Sequence, residues 1–524
     1  MTSFRAPLED ILFTLHHLSG AEALPGWDAD LATEVVTQFA RFAQSRLAPL
    51  DPTGDREGCR LVSGRVRMPA GFPAAYADLA ADGWQGLSLP ESAGGMGLPA
   101  ILQGCVTEVF AGANHALQMV TGLVPGAATT LLRYGTRAQQ DAWLPRLASG
   151  EVLSTMCLTE AGAGSDLATI ACRAAPDGDG WRISGEKLFI SGGDQDLTSD
   201  ILHLVLARSG GPGVKGLSLF LCPSRRADGG ANGVSVLRIE EKLGLHASPT
   251  CQMLFHNAEA QLIGAEGAGL EAMFTQMDHA RLDVALQGVA HAARAADLAR
   301  SYAATRLQGR DAKGQAVVLA AHDDVARMID EADALALGHR VLCQSALTAM
   351  HTHGRDLSAA LTPVCKWACT EAGIRAADLA IQVLGGYGYL EEYGCTQNWR
   401  DARVCAIYEG ANGIHARNLA DRLATHRDGA ALDALADWIG PHAPPDWLSA
   451  WQTARRRLLA LPNRPAAATP FMALTAEMLL QAAWRRIVAV ADRHPEPARL
   501  HRLAAAMERR GTFMLPYLSS AAVG

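Results

Sequence analysis

Charged residues, aromatic residues and long apolar runs are all scarce in this sequence. Asp, Glu, Lys and Arg make up 19% of its 524 residues and Phe, Trp and Tyr 6%, whereas 49% are hydrophobic. The longest uncharged stretch, residues 109–132, contains Asn114, His115, Gln118, glycines and a proline, which a membrane span of about 20 apolar residues would not normally carry. The sequence therefore predicts a soluble protein with large buried cores and excludes a disordered chain.

Cysteine pairs and metal motifs are also missing. The 11 cysteines are an odd number without a CxxC pair, which indicates a reducing compartment, and Cys365 and Cys369 are interpreted as small core residues rather than metal ligands. No HExxH cluster and no GxxxxGK[ST] phosphate loop occurs, so no metal is expected. The start MTSFRAPLEDILFTL does not resemble a signal peptide, and a cytoplasmic location is predicted.

Basic charge is concentrated near the C-terminus. The whole chain carries a net charge of −8, which argues against a dedicated nucleic-acid binder. Residues 431–524 have 11 Arg, no Lys and seven acids, hence +4, which leaves −12 for the rest. Three interpretations of these arginines are open. They form a solvated helix face, they pair with the acidic body or a second subunit, or they contact DNA or a membrane surface, and the third is disfavoured.

Hydrophobic periodicity divides the chain into an α+β arrangement. A helical period predicts a helical domain over 1–155, a period of two predicts a compact antiparallel β domain over 156–264, and long Ala-rich helices predict an antiparallel helical bundle over 265–428. A helical extension is expected over 429–524, with two longer helices and a shorter one near the end. The GxGxxG match at 211–216 runs from one predicted strand into another, so it is interpreted as a hairpin turn and not as a dinucleotide fingerprint.

Three segments carry residues suited to ligand chemistry. Residues 156–166 are small and include the hydroxyls of Thr159 and Ser165, which suits either a close-lying ligand or a plain turn. On the strand 185–193, Phe189 and Ser191 fall on one side, where a flat ring could lie or ordinary core packing could occur. Glu409 stands among apolar residues before a helix start, either as a base of raised pKa or as an acid that interacts with the helix dipole.

Taken together, these segments resemble the acyl-CoA dehydrogenase family, nearly colinearly from about residue 30 to 425. The opening residues 6–15 and 54–61 further resemble a bacterial subgroup with a C-terminal extension. This subgroup includes enzymes that act on methylthiopropionyl-CoA and on longer fatty acyl-CoAs. The family's signatures are present as TEAGAGSD (159–166), GEKLFISGG (185–193), EKLGLHASPT (241–250), GAEGAGL (264–270), MDHARLDVALQG (277–288), QVLGGYGY (382–389) and RDARVCAIYEGANGI (400–414).

The resemblance implies a barrel-like form for the β domain and a four-helix bundle over 265–428, with FAD bound between the two. Leu158 and Thr159 would meet the flavin pyrimidine, Ser165 would lie near the pyrophosphate, and Phe189 and Ser191 would stand where the family has Trp and Thr against the flavin ring. Residues implied to bind the FAD of a neighbouring subunit are Arg306, Gln382, Gly385 and Gly386, which implies a homodimer or homotetramer.

The resemblance also implies the reaction. Glu409 matches the base that removes the proton alpha to a thioester while a hydride leaves the beta carbon for flavin N5, which gives a trans-2-enoyl-CoA. An electron-transferring flavoprotein is the implied acceptor, and the acyl group stays open. Residues implied to contact or frame the substrate are Ser165, Asp278, Arg281, Tyr408 and Gly410.

Some positions depart from the family pattern. Ala411 replaces a usual hydroxyl residue, Ala161 a usual proline, and Gly309 a frequent aromatic residue, so a weaker flavin affinity is expected. The alternative function is a flavoprotein of the same fold without β-oxidation activity, either a monooxygenase or a nucleic-acid-associated alkylation-response protein. Monooxygenases of this fold generally lack the carboxylate that Glu409 supplies.

Overall fold

The computed structural model describes residues 4–522 of the chain. The predicted N-terminal domain and the predicted extension therefore each include a few residues outside the described range, namely 1–3 and 523–524. The helices of the described residues are α1 Leu8–His17, α2 Ala29–Phe42, α3 Asp51–Glu57, α4 Phe72–Ala81, α5 Ala100–Thr121, α6 Val124–Tyr134, α7 Arg137–Ala148, α8 Gly269–Thr305, α9 Asp323–Thr352, α10 Arg355–Leu384, α11 Cys395–Val404, α12 Asn412–Arg417, α13 Ala430–Ile439, α14 Pro445–Ala460, α15 Ala468–Ala489 and α16 Pro497–Ala521.

Within residues 4–522 no helix is both long enough and apolar enough to cross a membrane.

The strands lie mostly in the middle of the sequence. The strands are β1 Arg60–Val62, β2 Arg65–Arg67, β3 Val152–Cys157, β4 Arg173–Asp177, β5 Gly180–Ser191, β6 Asp200–Arg208, β7 Leu217–Pro223, β8 Val234–Ile239, β9 Thr250–Ile263, β10 Leu307–Arg310 and β11 Ala316–Val318.

The chain forms two compact units, which do not follow the predicted domain boundaries. The barrel unit comprises residues 46–99 and 114–280, and the helical unit comprises residues 1–45, 100–113 and 281–524. The N-terminal helices α1 and α2 thus belong to the same unit as α9, α10 and the C-terminal extension. The four-part division of the sequence stays a prediction.

The barrel unit is built on a seven-stranded sheet that closes on itself. Its order is β3-β6-β4-β5-β9-β7, β7 also pairs with β6, and β8 adds to β9. The strands β6, β4, β5, β9 and β7 thus form a closed ring, with β3 and β8 added outside it, which confirms the barrel-like expectation. Most pairs are antiparallel, but β6 runs parallel to both β3 and β4, so the prediction of an antiparallel domain is wrong for these two pairs. The GxGxxG segment connects the antiparallel strands β6 and β7, which confirms its interpretation as a hairpin.

Apolar cores bring the long helices of the helical unit together. One core joins α8, α9 and α10 through alanines, with Met328, Ile329 and Leu379 among them. A second joins α1 and α9 to the extension helices α15 and α16. The last helix, α16, spans 25 residues, so the expectation of a shorter final helix is wrong. Its apolar residues Leu500, Leu503 and Met507 recur at helical spacing and are buried in the second core.

A buried ionic cluster fixes the extension within the helical unit. Arg499 of α16 donates to both carboxylate oxygens of Asp10 at 2.9 Å and to both of Asp333 at 2.6 and 2.8 Å. His494 Nε2 contacts Asp10 Oδ1 at 3.0 Å. Burial alone would raise the pKa of Asp10, but hydrogen bonds from His494 and Arg499 and the charges of Arg499 and Arg340 hold it well below its ordinary value. One arginine of the extension therefore connects α1, α9 and α16.

Other arginines of the extension are also bound inside the chain. Arg510 pairs with Glu477 at 3.0 Å, Arg502 pairs with Asp330 at 3.1 Å, and Arg486 donates to the Ser345 hydroxyl at 3.1 Å. Glu477 lies in the extension itself, but the Arg502 pair, like the Arg499 cluster, joins the basic segment to acids of the body and supports that interpretation.

Replacing Arg499 by Met should destabilise the protein strongly. The substitution leaves Asp10 and Asp333 buried without their main counter-charge, which costs about 3–5 kcal/mol of unfolding free energy at pH 7. The control is Arg502→Met on the same helix, because its side chain is 57% exposed in a pair worth about 1 kcal/mol or less. Urea unfolding followed by circular dichroism measures both losses.

The pH dependence provides a second check on Arg499. Because the folded pKa of Asp10 is depressed, the stabilisation is present above its unfolded pKa of about 4 and is lost as the pH falls below that value. The difference between wild type and Arg499→Met should therefore shrink below pH 4. Equal losses for the two variants at pH 7 would contradict this description of the cluster.

Candidate active site

Glu409 lies in a short loop of strained backbone in the helical unit. The loop, residues 405–411, connects α11 to α12. Glu409 has φ +53° and Gly410 has φ +96°, so two successive residues occupy left-handed conformations. A non-glycine residue in this region is uncommon and concentrates at functional sites. A Cβ on residue 410 would lie 3.0 Å from His415 Nε2 and would be strained at this φ, which favours glycine there.

Side-chain donors from three helices hold the backbone carbonyls of this loop. His415 Nε2 of α12 lies 3.1 Å from the Glu409 carbonyl oxygen, and Arg281 Nε of α8 donates to the same oxygen at 3.4 Å. Lys366 Nζ of α10 donates to the Gly410 carbonyl oxygen at 2.9 Å. The strained loop is therefore anchored from three sides.

The Glu409 carboxyl is desolvated by its surroundings although part of its surface stays accessible. Burial raises its pKa to about 7, from an ordinary 4.5, while the positive charges of Arg281 and Lys366 oppose this increase. A carboxylate with a pKa near 7 is a stronger base than an exposed glutamate and is still ionised in a large fraction at neutral pH. Glu409 therefore has the basicity that removal of a proton from a weak carbon acid requires.

A second carboxyl group faces Glu409. Asp283 of α8 lies two residues after Arg281, and burial together with the negative charge of Glu409 raises its pKa to about 7. Tyr408 belongs to the same cluster, and its hydroxyl donates to Gln287 Oε1, also on α8. Because two neighbouring carboxylates repel each other when both are ionised, the pair loses its protons in two steps.

In the barrel unit, a buried ion pair fixes the predicted flavin segment. Lys187 of β5 has no exposed surface and donates to Glu160 Oε1 at 2.7 Å and to the Leu158 carbonyl oxygen at 2.9 Å. The Leu188 amide donates to the Thr159 carbonyl oxygen at 2.8 Å. The segments TEAGAGSD and GEKLFISGG, separate in sequence, are therefore joined at this point, with Leu158 buried and Thr159 half-buried.

Phe189 is exposed instead of packed in the barrel. Its side chain is 61% accessible and its backbone has φ +57°, a conformation that a bulky residue rarely adopts. The pairing of β5 with β9 shifts register between Lys187 and Ile190, so the regular alternation that would put Phe189 and Ser191 on one side is interrupted. Ser191 is half-buried at the end of β5. An exposed aromatic ring held by strained backbone favours a ligand over core packing.

The remaining predicted dinucleotide residues cluster at the end of α10 in the helical unit. Gly385, with φ +61°, and Gly386 have no heavy atom within 4 Å of where a Cβ would stand, and the Gln382 side chain is exposed. The Arg306 guanidinium lies 5.6 Å from the centre of the Tyr387 ring. The backbone of the two glycines is therefore accessible, and the exposed guanidinium of Arg306 lies close to it.

Ser165 and Asp278 lie in the barrel unit. Ser165 is exposed in the turn that follows Thr159, and Asp278 is exposed on α8. Arg281, Tyr408 and Gly410 surround Glu409 in the helical unit. The structure thus brings together Leu158, Thr159 and the Phe189 strand in one unit, and the Glu409 group in the other.

Comparisons with known proteins agree with this distribution of motifs. The N-terminal, middle and C-terminal domain models of acyl-CoA dehydrogenase match residues 31–151, 155–258 and 267–424. The chain is 39% identical over 464 residues to 3-methylmercaptopropionyl-CoA dehydrogenase of Ruegeria pomeroyi, which covers 83% of this chain and 79% of that protein. The chain belongs to the acyl-CoA dehydrogenase family.

Further relatives extend the comparison. The broad-specificity linear acyl-CoA dehydrogenase FadE5 of Mycobacterium tuberculosis is 32% identical over 84% of this chain and 78% of its own length. The acyl-CoA dehydrogenase structure from Geobacillus kaustophilus has a TM-score of 0.66 and 25% identity, and it covers 77% of this chain and 99% of its own. Caenorhabditis elegans ACDH-11 in complex with C11-CoA has a TM-score of 0.78 over 96% of this chain and 91% of its own, and at 19% identity it shows the fold alone.

Membership makes the protein an FAD-dependent acyl-CoA dehydrogenase, and its residues fit the cofactor. In the barrel unit, the exposed Phe189 ring and the hydroxyls of Thr159 and Ser191 suit a flat ring with a polar edge. In the helical unit, the bare surface of Gly385 and Gly386 beside the Arg306 guanidinium suits a diphosphate. The predicted family, fold class and cofactor are therefore confirmed.

Three residues of the site were missed by the sequence analysis. Lys366 and His415 contact the Glu409 loop directly, and Asp283 faces its carboxyl group. The one available signal was a lysine within the apolar helical segment TPVCKWAC, where a charged residue needs a buried partner. Nothing in the sequence indicated that the partner would be a backbone carbonyl.

Replacing Glu409 by Gln should raise stability in a pH-dependent way. Because the folded pKa of about 7 exceeds the unfolded value, ionisation of Glu409 destabilises the fold progressively between about pH 4.5 and pH 7 and fully above that range. The neutral amide avoids this cost. Thermal unfolding of the holoproteins should therefore show a higher midpoint for Glu409→Gln at pH 8 and a much smaller difference at pH 5.

The exposed Glu508 supplies the control for this measurement. Glu508→Gln should leave the midpoint near that of wild type at both pH values. A Glu409→Gln difference that stays the same at pH 5 and pH 8 would contradict the raised pKa.

Proposed function

We propose that the protein oxidises an acyl-CoA thioester to the trans-2-enoyl-CoA, with Glu409 as the base that removes the α proton. The observation that carries this proposal is the Glu409 carboxyl, desolvated and anchored with a pKa near 7. A weakly acidic C–H group requires a base of this kind in a site that excludes water. When bound, FAD would supply the oxidising power that removal of the β hydride requires.

The loop around Glu409 offers a donor for the thioester oxygen. The Glu409 amide N–H has no hydrogen-bond acceptor within residues 4–522. As the α proton leaves, negative charge develops on the thioester oxygen, and a fixed N–H group stabilises that charge more in the transition state than in the substrate. The α C–H electron pair becomes the new Cα–Cβ double bond as the hydride departs from the β carbon, and the proton remains on Glu409.

The binding roles of the other residues belong to the same proposal. Leu158, Thr159, Ser165, Phe189 and Ser191 would hold the flavin from the barrel unit. In the helical unit, Arg306, Gln382, Gly385 and Gly386 would hold the dinucleotide of a neighbouring subunit, which makes a homodimer or homotetramer the expected assembly. The residues proposed to contact or frame the thioester are Ser165, Asp278, Arg281, Tyr408 and Gly410.

The relatives suggest which substrates to test first. One is named for 3-methylmercaptopropionyl-CoA and another for linear acyl-CoAs. We therefore propose 3-(methylthio)propionyl-CoA and straight-chain acyl-CoAs as the substrate class, an electron-transferring flavoprotein as the acceptor and the cytoplasm as the compartment.

A nucleic-acid role receives less support from the structure. Arg499, Arg502 and Arg510 of the extension pair with acids of the same unit, so they cannot also neutralise phosphates without breaking those pairs. We expect no gel shift of duplex DNA at low salt.

The central prediction concerns flavin reduction by Glu409→Gln. Under anaerobic conditions, the wild-type holoenzyme should lose its flavin absorbance with at least one member of a panel of 3-(methylthio)propionyl-, butyryl-, octanoyl-, palmitoyl- and isobutyryl-CoA. Glu409→Gln should retain FAD, but its flavin should be reduced at least about 10³-fold more slowly, because the amide cannot accept the α proton. Stopped-flow absorbance measures both rates.

The pH dependence and a matched variant sharpen this experiment. The wild-type rate should rise through about pH 7 as Glu409 loses its proton, and Glu508→Gln should behave like wild type. Near-normal reduction by Glu409→Gln would refute the role of Glu409. Absence of bleaching by every thioester would instead favour a flavoprotein without β-oxidation activity.

A further inference from the structure

Lys366 is a buried cation in an otherwise apolar part of α10. Its side chain has no exposed surface, and its neighbours Cys365, Ala368 and Cys369 are buried as well. A lysine in such a place is rarely retained without specific partners, because removing an ammonium group from water costs several kcal/mol. Its partners are the Gly410 carbonyl oxygen and Asn412 Oδ1, both at 2.9 Å.

One of these partners lies in the strained turn and the other follows it directly. Gly410 directly follows Glu409, and Asn412 is the first residue of α12. Asn412 is itself held, since its Nδ2 donates to Glu371 Oε1 at 2.7 Å and to Thr370 Oγ1 at 3.1 Å, both on α10. Lys366 therefore fastens the turn that carries Glu409 to a rigid helix through two charge-assisted hydrogen bonds.

The Lys366 charge also acts on the Glu409 carboxyl. It is one of two positive charges that oppose the effect of burial on the pKa of Glu409, the other being Arg281. Burial lowers the pKa of Lys366 itself to about 8, so its ammonium form predominates at neutral pH. Titratable groups that face this pair of residues from the surrounding elements are Arg281 and Asp283 on α8, Glu371 on α10, Cys405 and Tyr408 in the loop and His415 on α12.

We propose that Lys366 is a positioning residue for the dehydrogenation, which holds the Glu409–Gly410 turn in its reactive conformation and keeps the Glu409 carboxylate available as a base at neutral pH. The proposal rests on the proposed function of Glu409. Lys366 has no contact with substrate in this role, because it acts through the loop backbone and through its charge. Its removal should therefore affect proton abstraction more than thioester binding.

Lys366→Met and Lys366→Arg test the proposal with three readouts. Lys366→Met should move the midpoint of the pH–rate curve for flavin reduction upward by about one pH unit, because an opposite charge is lost. Reduction at pH 7 should slow by about 10- to 100-fold, because the turn is no longer fixed, while the KM for the best thioester changes little. Lys366→Arg should return the midpoint toward the wild-type value, because it keeps the charge.

Arg375→Met on the same helix is the control, since Arg375 is 48% exposed and pairs with Glu331. It should leave the rate and the pH midpoint unchanged. Flavin content and the thermal midpoint of each holoprotein separate a folding defect from the proposed effect.

If Lys366→Met does not fold, Asn412→Ala replaces it in the test, because this variant removes one acceptor but leaves the ammonium group. It should slow reduction without moving the pH midpoint.

The double variant Glu409→Gln/Lys366→Met distinguishes the positioning role of Lys366 from the proposed role of Glu409 as the base. Because Lys366 acts through Glu409, the double variant should be no slower than Glu409→Gln alone. A folded, flavin-loaded Lys366→Met with wild-type rate and pH midpoint would overturn the inference while leaving the role of Glu409 intact. A fully active Glu409→Gln would instead refute the proposed function itself.

Discussion

A carboxyl group kept out of water on strained backbone is the constraint to which the rest of the site responds. Burial raises the pKa of Glu409 to about 7, and the φ of +53° is a conformation that the residue would not adopt alone. Both costs must be offset by fixed partners. These partners are Arg281, Lys366 and His415, which come from three helices. The helices thus place charges and hydrogen-bond donors around one short turn.

Buried ion pairs also organise another part of the helical unit. Arg499 binds Asp10 and Asp333, and Arg340 donates to Glu108 at 2.8 Å within the same core region. Such pairs contribute geometry more than net stability, because each is costly to desolvate and costly to break. They fix α1, α9 and α16 relative to one another, and they explain why a segment with a net charge of +4 remains folded against its own chain.

Much of this could be predicted from the sequence, because the helices and strands follow clear periodicities. The hairpin at 211–216, the helices around Arg281 and Asp323 and the position of Glu409 before a helix all agree with the pattern. The parallel pairing of β3 with β6, the register shift at Phe189 and the full length of α16 could not be predicted. They depend on contacts between distant segments, as do the partners of Lys366 and Arg499, since spacing along the chain does not say which buried groups meet.

The role of Glu409 is tested most directly by the exchange of an α proton without any oxidation. A thioester such as 3,3-dimethylbutyryl-CoA has α protons but no β hydrogen, so it cannot be dehydrogenated. Incubated with the holoenzyme in D₂O and analysed by mass spectrometry, it should gain deuterium at the α carbon with wild-type protein and not with Glu409→Gln. Exchange by Glu409→Gln at the wild-type rate would show that another group removes the proton and would contradict the assignment of Glu409 as the base.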